Sequence, residues 1–398
     1  MTSTSWKVAG LFAGIGGVEL GLERALGNQV ETLTFCEWWE PAQSVLRARF
    51  HGVPIEPDVR EMKRLPEGTN LVTAGFPCTD LSQAGRTAGI GGVNSGLVVN
   101  VFRLLEDARH RGGALPTLLI ENVPNMLALD RGKAMSYLIS EIEALGYAWA
   151  YRVVDSRFTG VPQRRRRVIL LASVDLDPRR ILFADDAGDR SEDFREDMFG
   201  FYWTEGLRGL GWAQDAVPTL KGGSTVGIPS PPAVWVRDAA PGRRLVKPSV
   251  EDAEEMQGFD RGWTDVDHLS PRRNGPRWKL IGNAVTVGVS RWVGSRLNDP
   301  GEPVTDFRPW TPGSGSWPTA AAGQKGMIAV PESLSEFPMH ADYSHLGDII
   351  DTQNADALSL RGAKGFWSRL QRGNLGQYPG FRAAVQEHIN DLEYALAG

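Results

Sequence analysis

Val8-Ala9-Gly10-Leu11-Phe12-Ala13-Gly14-Ile15-Gly16-Gly17 is an apolar run that breaks into glycines, and Val18, Leu22, Ala25 and Leu26 then recur at helical spacing. A strand over 8–12 that feeds a helix through a glycine loop lets backbone N–H groups approach a ligand. The same alternation continues downstream. Residues 31–36 read as a strand, 41–50 as a helix, 71–74 as a strand, 97–108 as a helix, 117–120 as a strand and 135–145 as a helix. Strands over 148–154 and 168–172 close the series. This order predicts an α/β fold, a sheet with helices on both faces.

The glycine loop lacks the full G-x-G-x-x-G spacing of a pyrophosphate site. About twenty residues on, Glu37 ends the second strand, where an acid accepts hydrogen bonds from ribose hydroxyls. Trp38 follows and offers a face for a purine. A nucleoside cofactor without pyrophosphate, such as S-adenosylmethionine, fits these residues better than a nicotinamide dinucleotide. A tight strand–helix turn with Trp38 in the core is the other reading of the same residues.

At 398 residues the chain is long enough for two or three domains and a large core. Hydrophobic content of 41% and charged content of 23% are ordinary for a soluble protein, and no apolar run approaches the length of a membrane span. The start, Met1-Thr2-Ser3-Thr4-Ser5-Trp6-Lys7, has no basic region leading into an apolar one, so no secretion signal is read. Two cysteines make no disulfide framework, and a cytoplasmic location fits. A net charge of −5 argues mildly against nucleic-acid binding, although a local basic face is what such binding needs.

Periodicity fades from about residue 175, where an acidic stretch and a Gly/Ser/Pro-rich stretch over 221–232 predict a smaller, loop-rich domain. The resulting division is 1–174 for a catalytic and cofactor domain, 175–260 for a second domain, 261–298 for a return to the first, 299–322 for a Pro/Gly/Ser/Thr linker and 323–398 for a helical C-terminal extension. In that extension Phe381, Val385, Ile389, Leu392 and Leu396 form one apolar face.

Three further stretches carry chemistry. Cys78 follows Gly75-Phe76-Pro77 at the end of a strand, where a thiol is presented at a sheet edge as a nucleophile. Glu121, in Glu121-Asn122-Val123, also ends a strand and would share the carboxyl rim with the glycine loop; alone it reads first as a solvated helix-capping acid. In Gln163-Arg164-Arg165-Arg166-Arg167, strand alternation puts Arg165 and Arg167 on one face and Arg164 and Arg166 on the other, with a plain surface charge run as the alternative.

Taken in order, Phe12-Ala13-Gly14-Ile15-Gly16-Gly17, Gly75-Phe76-Pro77-Cys78, Glu121-Asn122-Val123, Gln163 to Arg167 and Gly282-Asn283-Ala284-Val285 resemble the DNA (cytosine-5)-methyltransferase family, over about 8–297. The resemblance implies a Rossmann-like S-adenosylmethionine-dependent methyltransferase sheet with a smaller target-recognition domain. It implies that Cys78 attacks C6 of a cytosine flipped out of duplex DNA, that Glu121 holds N3 and the exocyclic amine, and that Asn122 braces this loop. Arg165 and Arg167 are implied to touch the cytosine O2 and organise the site, with Arg165 and a helix N-terminus helping to keep the thiolate. For the donor, the resemblance implies Phe12, Gly14 and Gly16 in the loop, Glu37 on the ribose, Trp38 on the adenine and Asp58 on its amine. Val59, Pro77, Leu97 and Asn283 complete that set. Because Asn283 arrives late in the chain, the catalytic domain is expected to be discontinuous. Thr79, Ser82, Arg86, Gln163 and Arg164 are the residues set against DNA, with 79–94 as a closing loop.

Thr79 departs from the family, which usually has glutamine, or asparagine in some members, after the cysteine. Pro218-Thr219-Leu220 and Met256-Gln257-Gly258-Phe259 match landmarks of the target-recognition domain. No metal site is expected. The partners expected are duplex DNA and a cognate restriction endonuclease, with no membrane, for a monomer encoded by a bacterium or phage. A nicotinamide oxidoreductase would leave Cys78 and the arginines without a task. A zinc deaminase needs Cys-x-x-Cys, whereas the chain runs Cys78-Thr79-Asp80-Leu81. A tRNA cytosine-5 methyltransferase is the nearest rival, and a catalytically dead regulator would usually have lost Cys78 or Glu121.

Overall fold

Each apolar run of the first half becomes a strand whose carboxyl end meets a loop. β1 (Trp6–Leu11) runs to α1 (Gly17–Leu26), β2 (Val30–Cys36) to α2 (Glu40–Arg49), and the short β3 (Ile55–Glu56) follows. β4 (Leu71–Ala74), α3 (Val98–His110), β5 (Thr117–Asn122) and α4 (Lys133–Ala144) continue the alternation. β6 (Ala148–Asp155), β7 (Gln163–Arg164) and β8 (Arg166–Ser173) follow. This is a computed structural model, and it describes residues 5–77, 96–190, 194–205, 207, 209–222, 231–267, 269, 275–313 and 315–397.

The chain forms two units. The first contains Met1–Phe158, Arg166–Asp189 and Val285–His340; the second contains Thr159–Arg165, Arg190–Ala284 and Ala341–Gly398. In the first unit β3, β2, β1, β4 and β5 are mutually parallel, and β8 joins β5 antiparallel. Register aligns the strand ends: Leu11 pairs with both Cys36 and Ala74, and Ala74 pairs with Ile120. The segments that follow these residues therefore lie along one rim of the sheet. α7 (Val287–Asn298), which follows the second unit's α5 (Val250–Glu255) and α6 (Gly275–Asn283), returns to pack beside α1 through Leu22, Trp292 and Val293.

The composition of 299–322 reads as a linker, yet it holds one strand and the start of a second. β14 (Phe307–Trp310), β15 (Ala320–Gln324) and β16 (Met327–Pro331) extend the main sheet to ten strands, with β15 antiparallel to β6. Small residues allow this: Ala320, Ala321 and Ala322 bury completely or nearly so against the sheet, and Trp317 packs on Trp149 and Tyr151. From Ala341 the C-terminal stretch belongs to the second unit.

That unit is built on a five-stranded sheet of β10 (Trp212–Gln214), β9 (Met198–Phe201), β12 (Ala233–Val236), β13 (Leu245–Lys247) and β17 (Asp356–Ala357). Two helices, α8 (Leu360–Gly373) and α9 (Phe381–Ala397), bury Phe366, Leu370, Phe381, Val385 and Ile389 against Phe199, Phe201 and Trp235. The expected apolar face of α9 ends early: Leu396 is 76% exposed, while Ala384 and His388 are buried in its place. Among the described residues no helix is long and apolar enough to cross a membrane.

One buried acid gives the first unit a pH signature. Glu19 in α1 is fully buried, with one carboxyl oxygen accepting from Thr73 Oγ1 at 2.7 Å. Burial pushes its pKa up to about 7 from about 4.5. A raised folded-state value means that stability is fully present below pH about 4.5 and is lost as pH rises through 7. At the usual conversion of pKa shift to free energy this amounts to about 3 kcal/mol. The melting temperature of Glu19→Gln should therefore exceed that of the parent more at pH 8 than at pH 5. Equal differences at the two pH values would refute the assignment.

Candidate active site

The rim of the first unit carries four of the expected segments. Phe12 takes a left-handed conformation at φ 56, and Gly14 follows at φ 57. A Cβ on Gly14 would meet nothing within 4 Å, so the loop keeps its backbone open at that point. Glu37, directly after β2, is held by its carboxylate: Oε2 accepts from Gly14 N at 2.8 Å and Oε1 from Trp39 N at 2.9 Å. Burial raises its pKa, opposed by those N–H donors. Trp38 beside it is 78% exposed, an unusual state for the largest aromatic side chain. An acid locked to a glycine loop beside an exposed indole fits a nucleoside: the acid can accept from ribose hydroxyls and the indole can stack on a base.

Gly16 has a different cause from Gly14. At φ 78 a Cβ there would lie 2.3 Å from the Phe50 ring, so helix packing demands glycine. Val59 is buried in the core, and Leu97 is half-buried at the start of α3. Asp58, expected at the adenine amine, instead grips Arg60, whose Nε lies 2.9 Å from both carboxylate oxygens. This pairing holds Asp58 below the usual carboxylate range.

Beyond β4 the chain turns through Gly75-Phe76-Pro77. Asn122, at the end of β5, donates from Nδ2 to the Phe76 carbonyl at 2.9 Å and accepts from Val123 N at 2.9 Å. Glu121 beside it pairs with Arg167, Nε to Oε1 at 2.6 Å, both side chains largely shielded from solvent. The antiparallel direction of β8 makes that pair possible, because it brings the amino end of β8 to the carboxyl end of β5. A Cβ on Gly75 would lie 3.7 Å from the Phe12 carbonyl and 3.8 Å from Glu121 Oε2, so the three strand ends converge. Phe12 and Phe76 meet edge to face at 6.2 Å. Cys78, Thr79, Ser82 and Arg86 lie outside the described residues. The other cysteine, Cys36, is buried, and burial with nearby Glu37 pushes its thiol up to about 12.

The second unit holds the remaining landmarks, interlocked through buried backbone. Arg165 donates to the carbonyls of Leu220 (3.0 Å), Gly282 (3.2 Å) and Ala284 (2.7 Å). Gln163 donates to Met256 O at 3.0 Å and accepts from Leu220 N at 2.9 Å. Gln257 donates to Ile281 O at 2.9 Å. A Cβ on Gly282 would sit 2.2 Å from the Lys221 carbonyl carbon and the Gly222 nitrogen, which is why glycine precedes Asn283. Asn283 itself is exposed.

Residues 6–183 match the family model for the C-5 cytosine-specific DNA methylase. Over 97% of its length the chain is 44% identical to the type II methyltransferase M2.BsuMI of Bacillus subtilis (strain 168), also over 97% of that protein. The chain belongs to the C-5 cytosine-specific DNA methylase family. The type II methyltransferase M.MspI of Moraxella sp is 25% identical over 74% of this chain and 71% of its own. The crystal structure of the S. pombe Dnmt2 methyltransferase is similar in fold, with TM-score 0.53 and 15% identity over 73% of this chain and 98% of that one.

The methyltransferase transfers a methyl group from S-adenosyl-L-methionine to C5 of cytosine in DNA, and its α/β sheet is the methyltransferase sheet expected. Two residues set against DNA or the base have protein partners here. Gln163 was expected at DNA, but it is wholly buried with its amide committed to Met256 and Leu220. Arg165, expected to touch the cytosine O2 and organise the site, has its guanidinium buried and donating to three carbonyls. The expected single alternating strand is broken at Arg165, which lies between β7 and β8: Arg165 is buried, Arg164 and Arg166 are exposed and Arg167 is half-buried. Arg166 meets Glu336 through its Nε at 2.7 Å. Sequence reasoning missed Glu254, buried and bonded to Thr264 N and Arg277. Its signal was an acid two residues before the Met256 landmark, indistinguishable in sequence from a solvated one.

Proposed function

We propose that Cys78 adds to C6 of the target cytosine, with Glu121 on N3 and the exocyclic amine and Arg167 on O2. The observation that carries this reading is the Asn122 clamp on the Phe76 carbonyl, which sets the turn leading to Cys78 beside the Glu121–Arg167 pair. Cys36 offers no alternative, since burial keeps its thiol protonated.

The Cys78 thiolate gives its electron pair to C6, and the C5–C6 π pair moves toward C5. A hydrogen bond or proton from Glu121 to N3 draws electrons from C6 as sulfur attacks. S-adenosyl-L-methionine supplies an electrophilic methyl on a sulfonium. When bound beside the ring it would deliver that methyl to C5 and depart as a neutral thioether. Loss of the C5 proton to a base then re-forms the double bond and expels the thiolate. Glu37 holds the donor's ribose hydroxyls and Trp38 its adenine, while Arg167 keeps Glu121 aimed at the ring.

The substrate is duplex DNA with the cytosine flipped out of the stack, and the enzyme works in a bacterial cell beside an endonuclease that cuts the same sequence. The type II methyltransferases among its bacterial relatives support this setting.

A methylated duplex should be re-made with 5-fluorocytosine at the modified position. Fluorine cannot leave as a cation, so the reaction should stop at a covalent complex. Mass spectrometry should find the adduct on the peptide carrying Cys78. An adduct on another residue, or none while ordinary cytosine is methylated, would sink the assignment.

A further inference from the structure

α8 carries a charge pattern that methyl transfer does not use. Its sequence, from Leu360 to Gly373, holds Arg361, Lys364, Arg369 and Arg372 and no acid, in a chain of net charge −5. Ala363, Phe366 and Leu370 take its buried face. Arg361, Lys364, Gln371 and Arg372 are exposed. Lys364 pairs with Glu393 of α9 at 2.5 Å, whereas Arg361 and Arg372 have no ion pair among the described residues. Burial, and then the positive Arg372, hold the Arg369 guanidinium below its usual range. Soluble surface helices normally intersperse both signs, so a single-sign face suits an anionic partner.

The helix is also tied to the recognition landmarks of its own unit. Arg369 donates to the carbonyls of Trp203 (2.6 Å) and Glu205 (3.2 Å). Glu205 is no counter-charge for α8, because its carboxylate pairs with Lys221. Lys221 in turn lies over the Tyr202 ring at 4.3 Å, and Tyr202 Oη donates to Thr219 O. Thr219 Oγ1 donates to the carbonyl of the exposed Arg164 at 2.7 Å. One loop thus links α8 to Pro218-Thr219-Leu220 and to the arginine run.

We propose that the face of α8 bearing Arg361 and Arg372 binds backbone phosphates of duplex DNA flanking the methylated sequence. The proposal rests on the reading of this protein as a duplex-DNA methyltransferase. Charge complementarity carries it: each phosphate neutralised releases condensed counterion, so a few exposed arginines add affinity without reading bases. The C-terminal helices then do two things, closing the aromatic face of the recognition sheet and lengthening the DNA footprint.

The test uses the full chain with Arg361→Glu/Arg372→Glu, and Arg361→Gln/Arg372→Gln as the milder pair. Both are bound to a duplex the parent methylates, with long or with minimal flanks. On the long duplex the Kd of the charge-reversed protein should rise about tenfold, and the slope of log K against log salt should shrink by about two. On the minimal duplex the change should be small, kcat should be unchanged, and the Gln pair should show a weaker effect in the same direction. Unaltered affinity and salt slope on the long duplex would overturn the proposal. So would an equal loss on both duplexes, or a loss confined to binding of phosphatidylserine vesicles or RNA. Failure of the parent itself to bind and methylate duplex DNA would strike the underlying reading instead, which keeps the two failures distinct.

Discussion

Cys78→Ser protein is expected to lose methyl transfer by about 10⁴-fold or more while its duplex and donor affinities stay within about twofold. The asymmetry follows from chemistry. A thiol near its ordinary pKa is a few per cent thiolate at neutral pH and intrinsically nucleophilic, whereas a serine hydroxyl is almost wholly protonated. Of the groups proposed to hold the donor, Glu37 has its own anchor on the Gly14 and Trp39 backbone. The Asn122–Phe76 clamp and the Glu121–Arg167 pair are likewise made by other side chains and backbone. Methyl incorporation from labelled donor and titration of duplex binding would measure both halves. Retained methylation in the serine variant would remove Cys78 from the mechanism, and lost binding would make the thiol a structural element.

The rim was legible from sequence because its logic is local. Apolar runs at 71–74 and 117–120 are followed at once by glycine or acid, and parallel pairing then places all such ends together. Sequence could also place Arg167 on one face, since a strand alternates strictly. It could not place Arg167 against Glu121. That contact depends on β8 running antiparallel to β5, and strand direction is set by connections and packing rather than by periodicity. The stretch at 299–322 misled by composition: its prolines and glycines mark a linker, but the weight of burial lies on Trp317 and three alanines.

The partners of the polar landmarks were hidden from the sequence for a different reason. Gln163, Arg165 and Gln257 are residue types usually exposed, so a charge run next to a possible DNA site reads as a DNA contact. Their partners are backbone carbonyls of Met256, Leu220, Ile281, Gly282 and Ala284, up to about 120 residues away in the chain. Carbonyls carry no sequence identity, so a residue written into the chain to satisfy them leaves no partner to find. Asp58 shows the converse: its partner, Arg60, was two residues away and still invisible, because either side chain could equally have faced water.

Arg165→Ala should therefore lower the stability of the second unit by about 3 kcal/mol or more, because losing a donor costs roughly 1–3 kcal/mol per buried acceptor left unsatisfied and three carbonyls lose theirs. The lesion joins segments at 163–165, 217–222 and 281–284, so their backbone amides should lose protection together in hydrogen exchange. Arg165→Lys should recover only part of the loss, since a single ammonium cannot reproduce the planar fork that reaches the two sides of this knot. These variants decide between two roles. If Arg165 braces the knot, stability and exchange protection fall first, and kcat follows them, recovering at lower temperature. If Arg165 instead contacts the cytosine, Arg165→Ala should unfold like the parent with kcat reduced at every temperature, and its assignment as a brace would be withdrawn.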